Sequence, residues 1–210
     1  MRIGAVIRSY GLTTFLPAVL RSYQWLDKVL VMNHRFRGVT KREDRTVEIA
    51  SSFRNTVVET GEDADQHTVL NLGLEKMADF DYVFISDADE LLTRYDQEKL
   101  IGFVSGYDAA KCKVIDYAKD LSHRYEERDH QPIVIIKPDK MFYEVRCYSG
   151  NIRSVDDVYM HHFGYVYSPE EIGWKVDWEK PWEHDSVVTL LGKVPLPCEI
   201  PQEIKEMLNA

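Results

Sequence analysis

The chain has 210 residues, enough for one domain with a sizeable core, and its 44% hydrophobic and 29% charged residues are ordinary for a globular protein. With 35 acidic against 26 basic side chains the net charge is −9, which argues against a broad nucleic-acid surface. No apolar run reaches membrane-spanning length, and the opening MRIGAVIRSYG is too short and too soon broken for a signal peptide, so a cytoplasmic protein is expected. Cys112, Cys147 and Cys198 are odd in number and lack metal-type spacing, so they read as reduced, packed thiols.

In chain order, Ile3 to Ile7 reads as a buried strand, followed by the turn Ser9-Tyr10-Gly11. Leu12, Phe15, Leu16, Val19, Leu20 and Tyr23 follow at helical spacing, with Thr13 or Thr14 as N-cap and Pro17 in the first turn. Lys28 to Met32 is a second buried strand. Thr40-x-x-Glu43 has the form of a capping box and predicts a helix to about Ser52. Asn55 to Thr60 is a third, more exposed strand, and Asp63 or Asp65 caps a helix from Gln66 to Met77. The fourth strand, from Tyr82, ends in the carboxylates Asp87, Asp89 and Glu90. This alternation predicts a largely parallel sheet with helices on both faces. Ligands of such sheets bind beyond the carboxyl ends of the strands, where Ser9, Tyr10, Asn33 and Asp87 to Glu90 fall.

The second half changes character. Asp96 precedes a short helix to Val104, and Ala110 to Ile115 alternates like a half-exposed strand. His123 to Gln131 is polar and reads as a loop. Ile133 to Ile136 and Met141 to Tyr148 read as antiparallel strands, and Val158 to Phe163 as another. Ser168-Pro169-Glu170-Glu171 carries an N-cap, an N1 proline and a capping-box glutamate. Trp174, Trp178 and Trp182 fall four apart, on one helical face. Val194 to Pro201 reads as an extended, proline-rich linker, and Gln202 to Ala210 as a short terminal helix.

In an extended chain, side chains two apart point the same way, so Asp87 and Asp89 are expected on one side of the strand end. Carboxylates this close repel unless a cation, proton or hydrogen-bond donor lies among them. Mg²⁺ or Mn²⁺ suits such oxygen ligands.

The stretch DYVFISDADELL resembles the DxD motif of GT-A fold glycosyltransferases, in particular the family-2-like group whose motif reads DADE. The likeness spans most of Arg2 to Trp178, and is clearest in Arg2–Asn33, Gln66–Leu92 and Met141–Lys175. It implies an α/β fold of GT-A type: a Rossmann-like, mostly parallel sheet with helices on both faces, plus a smaller antiparallel C-terminal part. It further implies one catalytic domain over residues 1–193, divided into a nucleotide-binding half, 1–92, and an acceptor and metal-completing half, 93–193, with residues 194–210 as linker and tail. The implied reaction is metal-dependent transfer of a sugar from a nucleotide-diphosphate sugar to a carbohydrate or other hydroxyl acceptor, with inversion. A nucleotide-sugar or metal-binding protein without activity is an alternative, and so is a nucleotidyltransferase. SYGLTT, with one glycine and no lysine, speaks against the latter.

Carried over residue by residue, the resemblance implies Asp87 and Asp89 as metal ligands, completed by a late-strand histidine. His161 and His162 point to opposite sides of a strand, and His162 is favoured. An imidazole among the ligands suits Mn²⁺ better than Mg²⁺. Lys175 stands where a cation meets the diphosphate. Ser9, Tyr10, Asn33, Asn71 and Asp87 are the expected nucleotide contacts. The family has an acidic residue where Asn33 stands and an Arg-Asn pair where Leu70 and Asn71 stand, so the nucleotide is held by different handles here. Inversion needs a base for the acceptor hydroxyl. Glu144 is the candidate, with Asp156 and Asp157 as rivals.

Overall fold

The computed structural model describes residues 1–209 except 37, 38, 40, 42, 126–130 and 174–195. Four parallel strands make the first half: β1 (Ile3–Ser9), β2 (Lys28–Phe36), β3 (Thr56–Ala64) and β4 (Tyr82–Asp87), in the order β3-β2-β1-β4. Their crossovers are helical: α1 (Leu16–Ser22), α2 (Thr46–Ser51) and α3 (Gln66–Glu75). Alternation along the strands sorts the core into two layers. Ala5, Ile7, Val29, Val31 and Phe84 pack with Leu16, Val19 and Leu20 of α1 and Ala50 of α2. Val6, Leu30, Met32, Val83 and Ile85 pack with Val69, Leu70 and Leu74 of α3 on the other face. At Gly73 α3 lies close against the sheet, since a Cβ there would lie 2.6 Å from Val6 Cγ1.

The sheet continues from β4 through β8 (Ile133–Ile136), antiparallel to it, to β6 (Ala109–Ala118) and β7 (Asp120–Arg124). The long β9 (Ile152–Tyr165) runs parallel to β6 and also pairs with the two-residue β5 (Glu90–Leu91). Because β6 and β9 run in the same sense as β4, their carboxyl ends gather at the edge where β1, β2 and β4 end. α4 (Arg94–Val104) adds Leu100 and Val104 to the face that carries α1. Rings of Phe15, Phe163, Tyr117 and His161 stack in series, with centroids 4.9, 5.1 and 5.8 Å apart, and tie β6 and β9 to the start of α1. Each such contact adds about 0.5–1.5 kcal/mol beyond burial.

Several sequence expectations change. α1 starts at Leu16, with Phe15 rather than a threonine at the N-cap position. α2 begins only at Thr46; Thr40 lies outside the described residues, and Asp44 accepts from the Thr46 N–H and hydroxyl instead. α4 begins earlier than expected because Thr93 caps it, accepting from Asp96 N while its hydroxyl donates to Asp96. The polar stretch from His123 is partly β7, reached by a tight turn at Lys119 with φ 65°. Met141 to Tyr148 is not a strand. Its alternating side chains are held by separate anchors rather than a ladder: Phe142 in the core, Arg146 on Glu90 and Tyr148 on Asp108. Residues 143–147 form a tight turn instead, closed by Tyr143 N–H to Cys147 O at 3.1 Å and Cys147 N–H to Glu144 O at 3.2 Å. The expected linker pairs as β10 (Leu196–Pro197) with β7. α5 (Gln202–Asn209) then docks through buried Ile204, while Arg21 donates to Met207 O. Among the described residues no helix is long and apolar enough to cross a membrane.

Candidate active site

At the carboxyl edge, β4 ends at Asp87 and the chain turns through Ala88 and Asp89 into β5. Backbone N–H groups of and beside the turn fix it, along with the Ser86 hydroxyl, which donates to Glu90 O at 2.9 Å. Asp87 N–H donates to Glu90 Oε2 at 2.7 Å, Ala88 N–H to Arg8 O at 2.9 Å, and Phe163 N–H to Asp89 O at 2.8 Å. Two-residue alternation needs an extended chain, so where this segment turns it no longer sets the directions of Asp87 and Asp89; the charges of both reach the Tyr167 hydroxyl.

Asp87 faces β1. Arg8, its partner in the β1–β4 register, donates Nε to Oδ1 at 2.7 Å and Nη2 to Oδ2 at 2.6 Å. The third guanidinium nitrogen, Nη1, donates to Gln66 at the start of α3. Such a fork geometry gives strong, directional pairing. Asp89 faces β9, its Oδ2 3.8 Å from His162 Nε2. The two histidines separate as strand alternation requires. His161 is buried, its Nδ1 2.8 Å from the Tyr117 hydroxyl, and burial lowers its pKa to about 4. His162 Nδ1 instead meets Asp116 Oδ1 at 2.6 Å. Beside Asp89 lies the Tyr167 ring, whose hydroxyl is pushed well above its ordinary range by burial and then by the charge of Asp89.

Glu90 points inward. Arg146 donates Nη1 to its Oε1 at 2.8 Å and Nη2 to its Oε2, with both side chains under 9% exposed. Burial pushes the Glu90 carboxyl up, against the opposing pull of Arg146. On the guanidinium, burial is outweighed by Glu90 and Asp87, so Arg146 stays firmly charged. Arg146 sits at φ 54°, in the left-handed region that costs a non-glycine residue about 1 kcal/mol or more. The ion pair thus holds the 143–147 turn against the acidic motif in a strained backbone.

The other expected residues spread out. Ser9 is buried, with its hydroxyl 2.8 Å from that of Thr46. Tyr10 is half-buried against the α3 layer. Asn33, level with Ser9 in the β1–β2 register, is buried, and its Oδ1 meets no partner among the described residues. Asn71, expected at the nucleotide, clamps the 141–148 segment: Nδ2 donates to Phe142 O at 2.9 Å and Oδ1 accepts from Phe142 N–H at 2.8 Å. Glu144 is exposed on the turn that Arg146 anchors. Asp156 and Asp157 lie in an irregular stretch of β9, six and five residues before His162, where Val155 and Tyr159 face the consecutive β6 residues Cys112 and Lys113; that level is three to four β6 residues before Asp116, the register partner of His162, or about 10–13 Å along the sheet. Asp156 accepts from Gln131 at 3.3 Å and Asp157 pairs with Lys99 at 2.5 Å, so neither is brought to the carboxyl-edge cluster. Lys175 and the three tryptophans lie outside the described residues, but the capping box before them is formed: Ser168 Oγ accepts from Glu171 N–H at 3.3 Å, and Glu171 Oε2 from Ser168 N–H at 3.0 Å.

Sequence reasoning passed over Arg8, Asp116, Arg146 and Tyr167. Arg8 and Asp116 each carried a usable signal: a lone charge near the carboxyl end of a strand whose neighbours are apolar. Arg146 carried none, since its alternation pointed to solvent.

Among the described residues no three His, Cys, Asp or Glu side chains converge on one metal position. Asp89 and His162 can still serve one cation, because 3.8 Å is less than twice a metal–ligand distance of about 2.1 Å. Mg²⁺-type sites commonly use one or two protein groups with phosphate oxygens and water completing the shell, so this donor pair fits such an ion.

No protein-family model matches the sequence, and no curated protein matches it significantly. Solved structures do resemble it. The mannosyltransferase PcManGT from Pyrobaculum calidifontis, in complex with GDP-Man and Mn²⁺, superposes with a TM-score of 0.57 at 12% identity, over 99% of this chain and 68% of that one. TarS 1-349 from S. aureus gives 0.55 at 14% identity, over 83% of this chain. Its complex with UDP-GlcNAc gives 0.53 at 15%. The chain spans about 63% of the length of that TarS fragment. What the chain shares with these proteins is the fold: a mixed α/β sheet, parallel in its first half, with helices on both faces.

Proposed function

We propose that this chain is a metal-dependent glycosyltransferase that moves a sugar from a nucleotide-diphosphate sugar to a hydroxyl acceptor with inversion. The observation that carries the reading is the meeting of Asp89 and His162, 3.8 Å apart, at the carboxyl edge of a parallel sheet. The fold likeness to a mannosyltransferase holding GDP-Man and Mn²⁺ supports it. Asp89 and His162 would hold Mn²⁺ or Mg²⁺ together with diphosphate oxygens. Bound there, the ion neutralises charge developing on the departing nucleotide diphosphate.

The protein groups divide the remaining work. Asp87, fixed by Arg8, is the proposed acceptor for the ribose hydroxyls. Asn33 Oδ1, buried and without a donor among the described residues, offers an acceptor to the base or ribose. Ser9 and Tyr10 border the same edge. Glu144 takes the acceptor proton; the turn that carries it is pinned two residues on by Arg146 to Glu90, next to the acidic motif. Lys175 remains the proposed cation beside the diphosphate.

Thermal unfolding with UDP, GDP, CDP or ADP, with and without Mn²⁺, tests the reading. A ligand at a hundredfold excess over Kd stabilises by about 2.7 kcal/mol, or roughly 5–10 °C for a chain this size. One nucleotide should give that shift only with Mn²⁺, and Asp89→Asn should remove it. An equal Mn²⁺-dependent shift in the variant would refute the assignment.

A further inference from the structure

His162 is placed by three strands at once. β9 lies between β6 and β5, and the registers set His162 opposite Asp116 on one side and Glu90, next to Asp89, on the other. One ring nitrogen goes each way: Nδ1 meets Asp116 Oδ1 at 2.6 Å, and Nε2 faces Asp89 Oδ2 at 3.8 Å. Tyr165 closes the ring edge-on, with centroids 5.4 Å apart. Asp116 is only 3% exposed, whereas the other charged residues of its strand, Lys111 and Lys113, are half-exposed. Burying a carboxylate is costly unless it is bonded, so a carboxylate kept at this depth calls for a partner that needs it. An ionised carboxylate only accepts, so Nδ1 must carry a proton; in the neutral ring, the form that binds a metal, Nε2 then presents its lone pair.

We infer that Asp116 is a positioning residue. It fixes the ring and tautomer of His162 so that Nε2, rather than an N–H, faces the cation position beside Asp89. This rests on the metal reading proposed above and extends it to a residue behind the site. The β-ladder alone sets the side of the strand on which His162 emerges, but it leaves ring rotation and tautomer open. The 2.6 Å bond to Asp116 settles both. Partners of this kind behind a metal-binding histidine typically change metal affinity 10- to 100-fold when removed.

The test uses the whole chain, Mn²⁺ alone as probe, and Asp116→Asn with Asp116→Ala, each confirmed as folded by circular dichroism. Water-proton relaxation gives the Mn²⁺ Kd, and long-range ¹H–¹⁵N correlation of the metal-free protein gives the His162 tautomer. The wild type should show Nδ1–H, and both variants should bind Mn²⁺ at least tenfold more weakly. An Nε2–H tautomer in the wild type overturns the inference. So does Mn²⁺ binding by both variants within twofold of a wild type that binds it. A wild type that binds no Mn²⁺ overturns the metal reading, and this inference with it.

Discussion

Replacing Arg146 by methionine keeps the bulk of its stem and deletes the cation that faces Glu90. Both side chains are under 9% exposed and share two hydrogen bonds. Removing one partner of such a pair leaves a buried charge uncompensated, which costs about 3–5 kcal/mol. For a chain of this size that lowers Tm by roughly 6–20 °C. Urea unfolding of Arg146→Met, Glu90→Gln and the double variant separates the pair from the packing. Because the double variant leaves no buried charge, its loss should fall short of the sum of the singles by about 2 kcal/mol or more. The backbone adds a second handle. Glycine accepts φ 54° without strain, so Arg146→Gly should be about 1 kcal/mol less destabilised than Arg146→Ala, which deletes the same stem. The sign with pH also follows. Without Arg146 the buried Glu90 carboxyl rises further above its unfolded pKa. Stability is then greatest below the unfolded value and is lost as pH climbs through the folded one. The deficit of Arg146→Met should therefore widen between pH 5 and pH 8. A loss under 1 kcal/mol, or strict additivity in the cycle, would refute the account.

Glu144→Gln keeps the shape of the side chain and removes its basicity, so donor binding should survive while turnover falls about a hundred- to ten-thousandfold; unchanged turnover would take the base role from Glu144. Asn71→Ala strips both bonds from the Phe142 backbone and should cost about 1–3 kcal/mol in urea unfolding. Nucleotide affinity in that variant should change little, and its loss without destabilisation would return Asn71 to the ligand. Gly73→Ala drives a Cβ to 2.6 Å from Val6 Cγ1 and should destabilise by about 1–3 kcal/mol, although alanine is the better helix former. A neutral result would mean that α3 has room to shift.

The first half of the fold was legible because its signals are local. A continuous apolar run such as Tyr82 to Ile85 can only be buried, and helical spacing from Gln66 to Met77 supplies the layer that buries it. Strand alternation likewise separated His161 from His162 before any contact was known. The site was only half legible, for a physical reason. Sequence spacing tells where a side chain points only while the backbone stays regular, and the chain turns between Asp87 and Asp89. Their different partners, Arg8 and His162, come from the β1–β4 and β5–β9 registers, which pair segments some 70 to 80 residues apart. The same holds for Asp116 behind His162 and for Arg146, whose alternation suggested solvent and whose place is a buried bond to Glu90. The sequence by itself determined which residues must be buried and which strand ends bear charge. Only the tertiary structure decided which charges meet, because non-local register and a left-handed turn have no periodic trace in the chain.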